Sequence, residues 1–276
     1  MSRFRRLLKR SRPRFWLYLA GPVLVGVAYG ASSVSALFSL PALALFAYFL
    51  LPANVFLYGV NDVFDAEIDA ENPKKEGREV RYSGDSLVVA LVAGSALLGI
   101  ALAAWLPAAT PWIAGFLFLG AAYSAPPLRL KTVPPLDSIS NGLYVLPGVA
   151  AYAALAGENP PALAVVGGWL WTMAMHTFSA IPDIEPDRRA GIRTLATVLG
   201  RRGTIAYCGL VWLAAAGTFA LLDPRAGALL ALYPSLVIVW EGTGIPIDRA
   251  YWYYPAINTL VGMVLTLGGL WGLVHG

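Results

Sequence analysis

The feature that most constrains this chain is a series of nine apolar blocks, most of them close to the roughly 20 residues that a helix needs to span a bilayer. The blocks are residues 15–33, 37–58, 86–105, 111–125, 138–156, 161–180, 204–222, 226–241 and 253–273. Only 13% of the 276 residues are charged, against about 25% in a soluble domain. The sequence therefore predicts an all-α integral membrane protein with nine transmembrane helices in a single domain, residues 1–276. Because some blocks are short, eight spans are the alternative.

The positive charges predict how the chain is oriented in the membrane. With nine spans, all but one of the 20 Lys and Arg residues fall in loops on one side, and only Arg225 falls on the other. Cations accumulate on the cytoplasmic side of membrane proteins. We therefore expect a multi-pass protein of the cell membrane with its N-terminus and polar loops in the cytoplasm and its C-terminus outside.

The first 14 residues are strongly basic, which suits a cytoplasmic anchor on anionic membrane lipids. Such a run could also bind nucleic acid, but that arrangement is more typical of soluble proteins, and we expect no nucleic-acid partner. We also expect no cleavable signal peptide, since no short apolar core with a cleavage site follows the basic run.

An acidic segment, NDVFDAEID at residues 61–69, follows the second apolar block. If the helix continues through it, Asp62, Asp65 and Asp69 lie at i, i+3 and i+7 on one face. Asn61 lies at the edge of that face. We call residues 61–69 the first acidic segment.

A second acidic stretch, IPDIEPDRRAG, follows the sixth apolar block. Asp183 and Asp187 are four residues apart and share a helical face, while Pro182 and Pro186 predict an irregular start, which is tolerated where backbone lines a cavity. We call residues 183–187 the second acidic segment. Both segments begin at the cytoplasmic end of an even-numbered span, which suggests two four-helix halves.

Carboxylates that share a face repel one another unless a cation lies among them. Mg²⁺ binds carboxylate oxygens and commonly completes its coordination shell with substrate phosphate oxygens. The two segments together predict two or three Mg²⁺ ions around one diphosphate. The alternative is a pair of solvated loops, which we prefer for the remaining acidic residues of the first loop. The predicted metal ligands are Asn61, Asp62, Asp65, Asp69, Asp183 and Asp187.

Several basic residues near these segments are candidates to bind the diphosphate. The best placed are in YSAPPLRLK, residues 123–131, whose proline pair stiffens a turn at the end of the fourth span. The cytoplasmic charge bias also explains each of these cations. The predicted diphosphate-binding residues are Tyr123, Arg129, Lys131, Arg78, Arg81 and Arg188.

A few other polar and aromatic residues have two interpretations each. His176, seven residues before Asp183, is either a functional residue or a packing residue. Asp137 and Asn141 are most simply capping residues at the start of span 5. Asn258 is expected to bond a neighbouring helix. Trp240 and Tyr254 lie near span ends, where an interfacial aromatic belt is expected.

Taken together, these residues resemble the UbiA superfamily of intramembrane prenyltransferases over nearly the whole chain. NDVFDAEID fits the family motif NDxxDxxxD, DIEPD fits the second aspartate motif, and YSAPPLRLK fits a segment between them. The resemblance implies a helical bundle around a central cavity. It also implies transfer of a prenyl group from an allylic diphosphate to a hydrophobic acceptor from the lipid phase. The catalytic residues it implies are Asn61, Asp65, Asp183 and Asp187.

Within this family, residues 178–200 are most similar to lycopene elongases, which implies that a dimethylallyl group is added to lycopene or a related carotenoid. Residues 65–85 lack the Arg-Pro-Leu triplet of many quinone-type members. Other acceptors are a quinone precursor, a chlorophyll-type ring or a glycerol lipid. A cation transporter is the alternative from another class, but the carboxylates lie at helix ends beside cations rather than near the bilayer midplane.

Overall fold

The structure is a computed structural model that describes residues 11–65 and 84–275, without the side chain at position 248. Every regular element in these two stretches is helical, which confirms the predicted fold class. The α-helices in chain order are α1 (Trp16–Gly30), α2 (Leu40–Leu50), α3 (Pro52–Phe64), α4 (Ser86–Trp105), α5 (Thr110–Ser124), α6 (Leu136–Ile139), α7 (Leu146–Ala156), α8 (Ala162–Ser179), α9 (Ile184–Arg189), α10 (Leu195–Ala220), α11 (Pro224–Leu230), α12 (Leu232–Thr243), α13 (Ile247–Tyr251) and α14 (Tyr254–His275).

The helices of the described residues form nine spans, as predicted. Span 2 consists of α2 and α3, span 5 of α6 and α7, and span 8 of α11 and α12, while the other spans are the single helices α1, α4, α5, α8, α10 and α14. By length and composition, six helical runs in these residues can cross a bilayer: Leu40–Phe64, Ser86–Trp105, Leu136–Ala156, Leu195–Ala220, Pro224–Thr243 and Arg249–His275.

Span 2 is interrupted where α2 meets α3. Pro52 has no amide hydrogen, so it cannot donate to the turn before it. The side-chain amide of Asn54, which is fully buried, donates instead to the carbonyls of Phe49 and Leu50, at 3.0 Å each. A side chain thus satisfies two backbone carbonyls at the break between the two helices, and the span continues to the first acidic segment.

Packing of the Cα atoms divides the chain into two compact units. Unit 1 contains α1 to α5, α7 and the last residues of α14, and unit 2 contains α6, α8 to α13 and the rest of α14. The predicted four-helix halves therefore do not match the observed units, because the second part of span 5 packs with the first four spans.

Close backbone contact between α1 and α7 explains this grouping. A Cβ atom on Gly26 would overlap the carbonyl oxygen of Gly148, and one on Gly30 would lie 2.8 Å from the carbonyl oxygen of Tyr152. Glycine is required at both positions, since no side chain fits between the two backbones. The layout of the acidic segments contains no information about this contact.

Unit 2 is built around a cluster of buried aromatic rings. Trp212 and Tyr254 stack with ring centroids 5.8 Å apart, and Phe178 meets Tyr254 edge to face at 5.1 Å. Trp240 also packs on Tyr254, at 5.0 Å, and both side chains are buried. These two rings are therefore packing residues of unit 2, buried away from its surface.

Asn258 of α14 bonds to neighbouring helices, as predicted. The hydroxyl of Tyr233 in α12 donates to Asn258 Oδ1 at 2.8 Å. The Asn258 side-chain amide in turn lies 3.6 Å from the sulfur of Met175 in α8. A single polar side chain thus connects three helices of unit 2, as expected where polar groups have no water to bind.

Candidate active site

The first acidic segment begins in the last turn of α3. Asp62 and Asp65 are three residues apart, and only 7% and 6% of their surfaces are exposed. The helix ends at Phe64, and the amide of Asp65 still donates to the carbonyl of Asn61 at 3.0 Å. This geometry brings two buried carboxylates to the end of a transmembrane span.

Each of these carboxylates is paired with an arginine of unit 1. Arg12 Nη2 lies 3.5 Å from Asp62 Oδ1, and Arg129 Nη2 lies 3.2 Å from Asp65 Oδ1. Buried charges need such partners, since their removal from water is unfavourable. Opposite charge therefore balances both carboxylates of the first acidic segment.

Both arginines have a strained backbone. The φ angles are 50° for Arg12 and 42° for Arg129, and no other non-glycine residue in the described ranges has a positive φ. This conformation costs an L-residue about 1–2 kcal/mol, and such strain is concentrated at functional sites. The Arg12 guanidinium is further held 4.6 Å above the ring of Tyr58.

The side-chain amide of Asn61, in the same segment, is also held by a hydrogen bond. Ser124, the last residue of α5, donates to Asn61 Oδ1 at 2.9 Å. The end of α5 therefore contacts the end of α3, and the chain that continues from it brings Arg129 to Asp65. The structure thus brings the predicted residues Asn61, Asp62, Asp65 and Arg129 together.

Other predicted residues of this region are placed differently or lie outside the described residues. Tyr123 is half-buried in the last turn of α5, and Lys131 is half-buried in a 3₁₀ turn, Leu130–Thr132, of unit 2. The predictions for Asp69, Arg78 and Arg81 concern positions outside the described ranges.

Arg12 is the residue of this site that sequence reasoning missed. Its charge was counted only as part of the basic N-terminal segment, for which membrane orientation is a sufficient explanation. No spacing or motif links it to Asp62, which follows 50 positions later. Only the folded arrangement of unit 1 identifies the pair.

The second acidic segment follows α8. A 3₁₀ turn, Ile181–Asp183, leads into α9, so that Asp183 occupies the N-cap and Asp187 the first turn. The irregular start matches the expectation from the two prolines. Both aspartates are half-buried, whereas Ile184 between them is buried. This segment is therefore more exposed than the first.

Arg188, which was predicted to bind the diphosphate, makes other contacts. Its Nε and Nη2 donate to the carbonyl of Thr197 at 3.2 and 2.8 Å, and its Nη1 donates to Glu185 Oε1 at 3.1 Å. All three guanidinium nitrogens are thus directed at protein groups of unit 2. This fork-shaped donor pattern is characteristic of arginine.

Asp137 caps a helix, although not the one that was expected. Asp137 Oδ2 accepts from the amide of Leu195 at 2.7 Å, at the start of α10. Asn141 donates its side-chain amide to the carbonyl of Asp137 within span 5. His176 lies in the last turns of α8 and is half-buried.

The side chains of the two acidic segments fit a magnesium ion in their chemistry. They offer the carboxylates of Asp62, Asp65, Asp183 and Asp187 and the amide oxygen of Asn61. Mg²⁺ prefers oxygen ligands and often shares them with substrate phosphates. Within residues 11–65 and 84–275, no three His, Cys, Asp or Glu side chains are grouped so that they could hold a metal by themselves.

Comparison with known proteins decides what kind of protein this is. The UbiA prenyltransferase family matches residues 19–272. The chain belongs to this family. As a UbiA-family member it is a prenyltransferase and a multi-pass membrane protein, which confirms the resemblance in the motifs.

Two similar UbiA-family relatives come from archaea and bear the same name, lycopene elongase/hydratase. The protein from Haloferax volcanii is 65% identical over 267 residues, covering 96% of this chain and 89% of the relative. The protein from Halobacterium salinarum is 62% identical over 274 residues, covering 99% of this chain and 100% of the relative.

A solved structure shares the UbiA fold. It is a UbiA homologue from Archaeoglobus fulgidus bound to DMAPP and Mg²⁺. The TM-score is 0.71 at 18% identity, with 95% of this chain and 99% of that chain covered. At this identity the comparison supports the fold, and the fold agrees with the family assignment.

Proposed function

We propose that this chain transfers a prenyl group from an allylic diphosphate to lycopene or a related carotenoid in the membrane. The observation that carries the proposal is 65% identity over 96% of the chain to a relative named lycopene elongase/hydratase. Dimethylallyl diphosphate is the proposed donor, because an elongase of this kind adds five-carbon units. The Archaeoglobus homologue was solved with DMAPP and with GPP, each together with Mg²⁺, which supports an allylic diphosphate as the donor class.

The two acidic segments are the proposed diphosphate site, acting through magnesium. When bound, Mg²⁺ stabilises the charge that develops on the departing diphosphate. Two or three ions are proposed. Their proposed ligands match the two family motifs and are Asn61, Asp62, Asp65, Asp69, Asp183 and Asp187.

The paired arginines of unit 1 support this assignment. Arg129 lies 3.2 Å from Asp65, so its guanidinium is next to any group that Asp65 binds. We assign it the role of donating to the diphosphate, since arginine forms strong charge-assisted hydrogen bonds with phosphate oxygens. Tyr123, Lys131, Arg78 and Arg81 complete the proposed set. Arg188 is left out because its nitrogens donate to Thr197 and Glu185.

The proposed reaction breaks one bond and forms another. The carbon–oxygen bond of the donor ionises, the diphosphate leaves, and an alkene carbon of the acceptor attacks the resulting allylic cation. The positive charge then lies on the acceptor and is removed by loss of a proton, either directly from the acceptor or from a water molecule that has added to it. A dry environment would favour this sequence, since water would otherwise capture the cation.

The proposed orientation places this chemistry on the cytoplasmic side. All but one of the Lys and Arg residues lie in loops on the same side of the membrane as the acidic segments, and such loops remain in the cytoplasm. The C-terminus is then outside. A cysteine introduced near the C-terminus, at His275, should react with an impermeant thiol reagent in intact cells. Labelling only after permeabilisation would indicate the opposite orientation, with the C-terminus in the cytoplasm.

The test of the function is a product assay in a bacterial host that accumulates lycopene and makes dimethylallyl diphosphate. Expression should yield carotenoids heavier by one and two five-carbon units, with or without added water, by liquid chromatography with mass detection. The Asp65→Ala variant should yield none. Glu158→Gln, which changes an exposed carboxylate far along the chain from both motifs, is the matched control.

Unchanged lycopene, with the protein present in the membrane, would contradict the carotenoid assignment. The family's other acceptor classes would then be tested in the same way, namely quinone precursors, chlorophyll-type rings and glycerol lipids. The cation transporter, the alternative from another class, is set aside because the UbiA prenyltransferase family matches residues 19–272.

A further inference from the structure

Helix α6 contacts both helices that flank the second acidic segment in the chain. Thr177, near the end of α8, donates to Ser138 Oγ at 2.7 Å. Asp137 accepts from the amide of Leu195, the first residue of α10, at 2.7 Å. Two adjacent residues of α6 therefore hold the helix before the segment and the helix after it. Ser138 also shares a 2.9 Å hydrogen bond with Tyr207 of α10.

The carboxylate of Asp137 completes the N-terminus of α10. Thr194 and Thr197 form a reciprocal capping box, which satisfies the amides of these two residues. The amide of Leu195 bonds to Asp137, and a negative charge is favourable at this end of a helix. Asp137 is only 6% exposed. The contact is therefore shielded from competing water, which makes its loss more costly.

The first turn of α10 is set apart from the rest of the helix. Gly200, with φ 67° and ψ 174°, interrupts the helical geometry after residue 199, a conformation that favours glycine. The carbonyl of Thr197 in this turn accepts two hydrogen bonds from Arg188, which follows Asp187 directly. The turn at residues 195–199 is thus attached to Asp137 at its start and to Arg188 near its end.

We propose that Asp137 is a positioning residue for the second acidic segment, acting through the amide of Leu195 and the turn at residues 195–199. Arg188 is the second point of attachment and transmits the position of this turn to Asp187. Active-site groups must be held to within about 0.5 Å, and a displacement of about 1 Å can lower a rate on the order of 100-fold.

The expected effect of Asp137 on prenyl transfer rests on the proposed function, whereas its effect on the position of the second acidic segment does not. The competing explanation is that Asp137 itself binds a metal or a reacting group. Its Oδ1 is buried and has no hydrogen-bond partner among the described residues, so this explanation requires a direct test. The variant Asp137→Asn separates the two explanations, since the asparagine amide oxygen can accept from the amide of Leu195 but carries no charge.

The first measurement is hydrogen–deuterium exchange on the purified protein in detergent, without substrate. In Asp137→Ala, peptides that cover residues 187–199 should exchange faster, because the amide of Leu195 loses its acceptor. Asp137→Asn should exchange like the wild type. Peptides from α4 serve as the internal control and should not change in either variant.

The second measurement is the Mg²⁺ concentration that gives half-maximal prenyl transfer. Asp137→Ala should raise it about tenfold or more, and Asp137→Asn should restore it to near the wild-type value. A substitution that only weakens the fold would lower the amount of active enzyme and leave this midpoint unchanged.

Unchanged exchange at residues 187–199 in Asp137→Ala would overturn the proposal. The proposal would also be overturned if Asp137→Asn had the same raised Mg²⁺ midpoint as Asp137→Ala. Asp137 would then act through its charge and not through its hydrogen bond to Leu195. If the wild type transfers no prenyl group to any acceptor, the proposed function fails, and the exchange measurement still decides whether Asp137 positions the segment.

Discussion

The first acidic segment has buried carboxylates that arginines neutralise, whereas the second has half-exposed aspartates whose neighbouring arginine donates to a backbone carbonyl. In the first segment, the guanidinium of Arg129 forms an ion pair with the carboxylate of Asp65. In the second segment, the guanidinium of Arg188 donates to the backbone carbonyl of Thr197. Two motifs that look alike in sequence are therefore supported by different physical means.

This difference indicates which substitutions should affect each segment. The first depends on opposite charge beside buried carboxylates, so it should be sensitive to the loss of an arginine's charge. The second depends on hydrogen bonds that hold its backbone, so it should be sensitive to changes in hydrogen-bond geometry. Five substitutions, grouped into four predictions, test the contrast in order of decreasing expected effect.

The largest effect is expected for the carboxylates themselves. Asp65→Ala and Asp183→Ala should each lower prenyl transfer by about 10²- to 10³-fold, the range for losing one group that stabilises transition-state charge. Rates of the purified variants measure the effect, with Glu158→Gln as the control. If only one of the two variants is impaired, the segments do not share one function.

Loss of the guanidinium beside Asp65 should have the next largest effect. Arg129→Gln removes the guanidinium that lies 3.2 Å from the buried carboxylate of Asp65, so we expect a stability loss of about 1–3 kcal/mol and a higher KM for the diphosphate. Thermal unfolding in detergent and initial rates measure the two effects. Arg225→Gln, which removes an exposed cation, should change neither; equal effects in both variants would remove the special role of Arg129.

In the second segment, Arg188→Gln should act through geometry. Glutamine cannot reproduce the two hydrogen bonds to Thr197, and we expect about a tenfold rise in the Mg²⁺ midpoint, comparable to losing one charged hydrogen bond. The KM for the diphosphate should change less than in Arg129→Gln. The neighbouring Arg189→Gln is the matched control. A larger change in the diphosphate KM than in the Mg²⁺ midpoint would return Arg188 to the set of diphosphate ligands.

The smallest effect concerns the backbone alone. Gly200→Ala places a Cβ in the left-handed region and should cost about 1–2 kcal/mol of stability. Gly209→Ala in the same helix meets no atom within 4 Å and should be neutral or slightly stabilising. Thermal unfolding of the two variants measures the difference. Equal stability would show that the kink in α10 does not depend on glycine.

Much of the fold could be predicted because hydropathy and charge are properties of the chain itself. Nine apolar blocks predicted nine spans, and the i, i+3 spacing of Asp62 and Asp65 placed both at one helix end. The grouping of α7 with α1 could not be predicted, since it depends on two glycine backbones meeting across 122 residues.

The partners of the site residues could not be predicted from the sequence either. Arg12 bonds to Asp62 and Asp137 bonds to Leu195, and both pairs are more than 45 residues apart. Local patterns describe which residue types can bind a metal or cap a helix. They do not specify which helix is capped or which arginine reaches a carboxylate, because these contacts form only when distant segments pack.

The most direct test of the proposed function uses the purified protein in lycopene-containing liposomes with isotope-labelled dimethylallyl diphosphate. With Mg²⁺, the label should appear in carotenoids extended by one and two five-carbon units, and diphosphate should be released in equal amount. A chelator or Asp65→Ala should abolish both signals. Label transfer that persists without divalent metal, or diphosphate release without any extended carotenoid, would contradict the proposal that the acidic segments direct a metal-dependent transfer to lycopene.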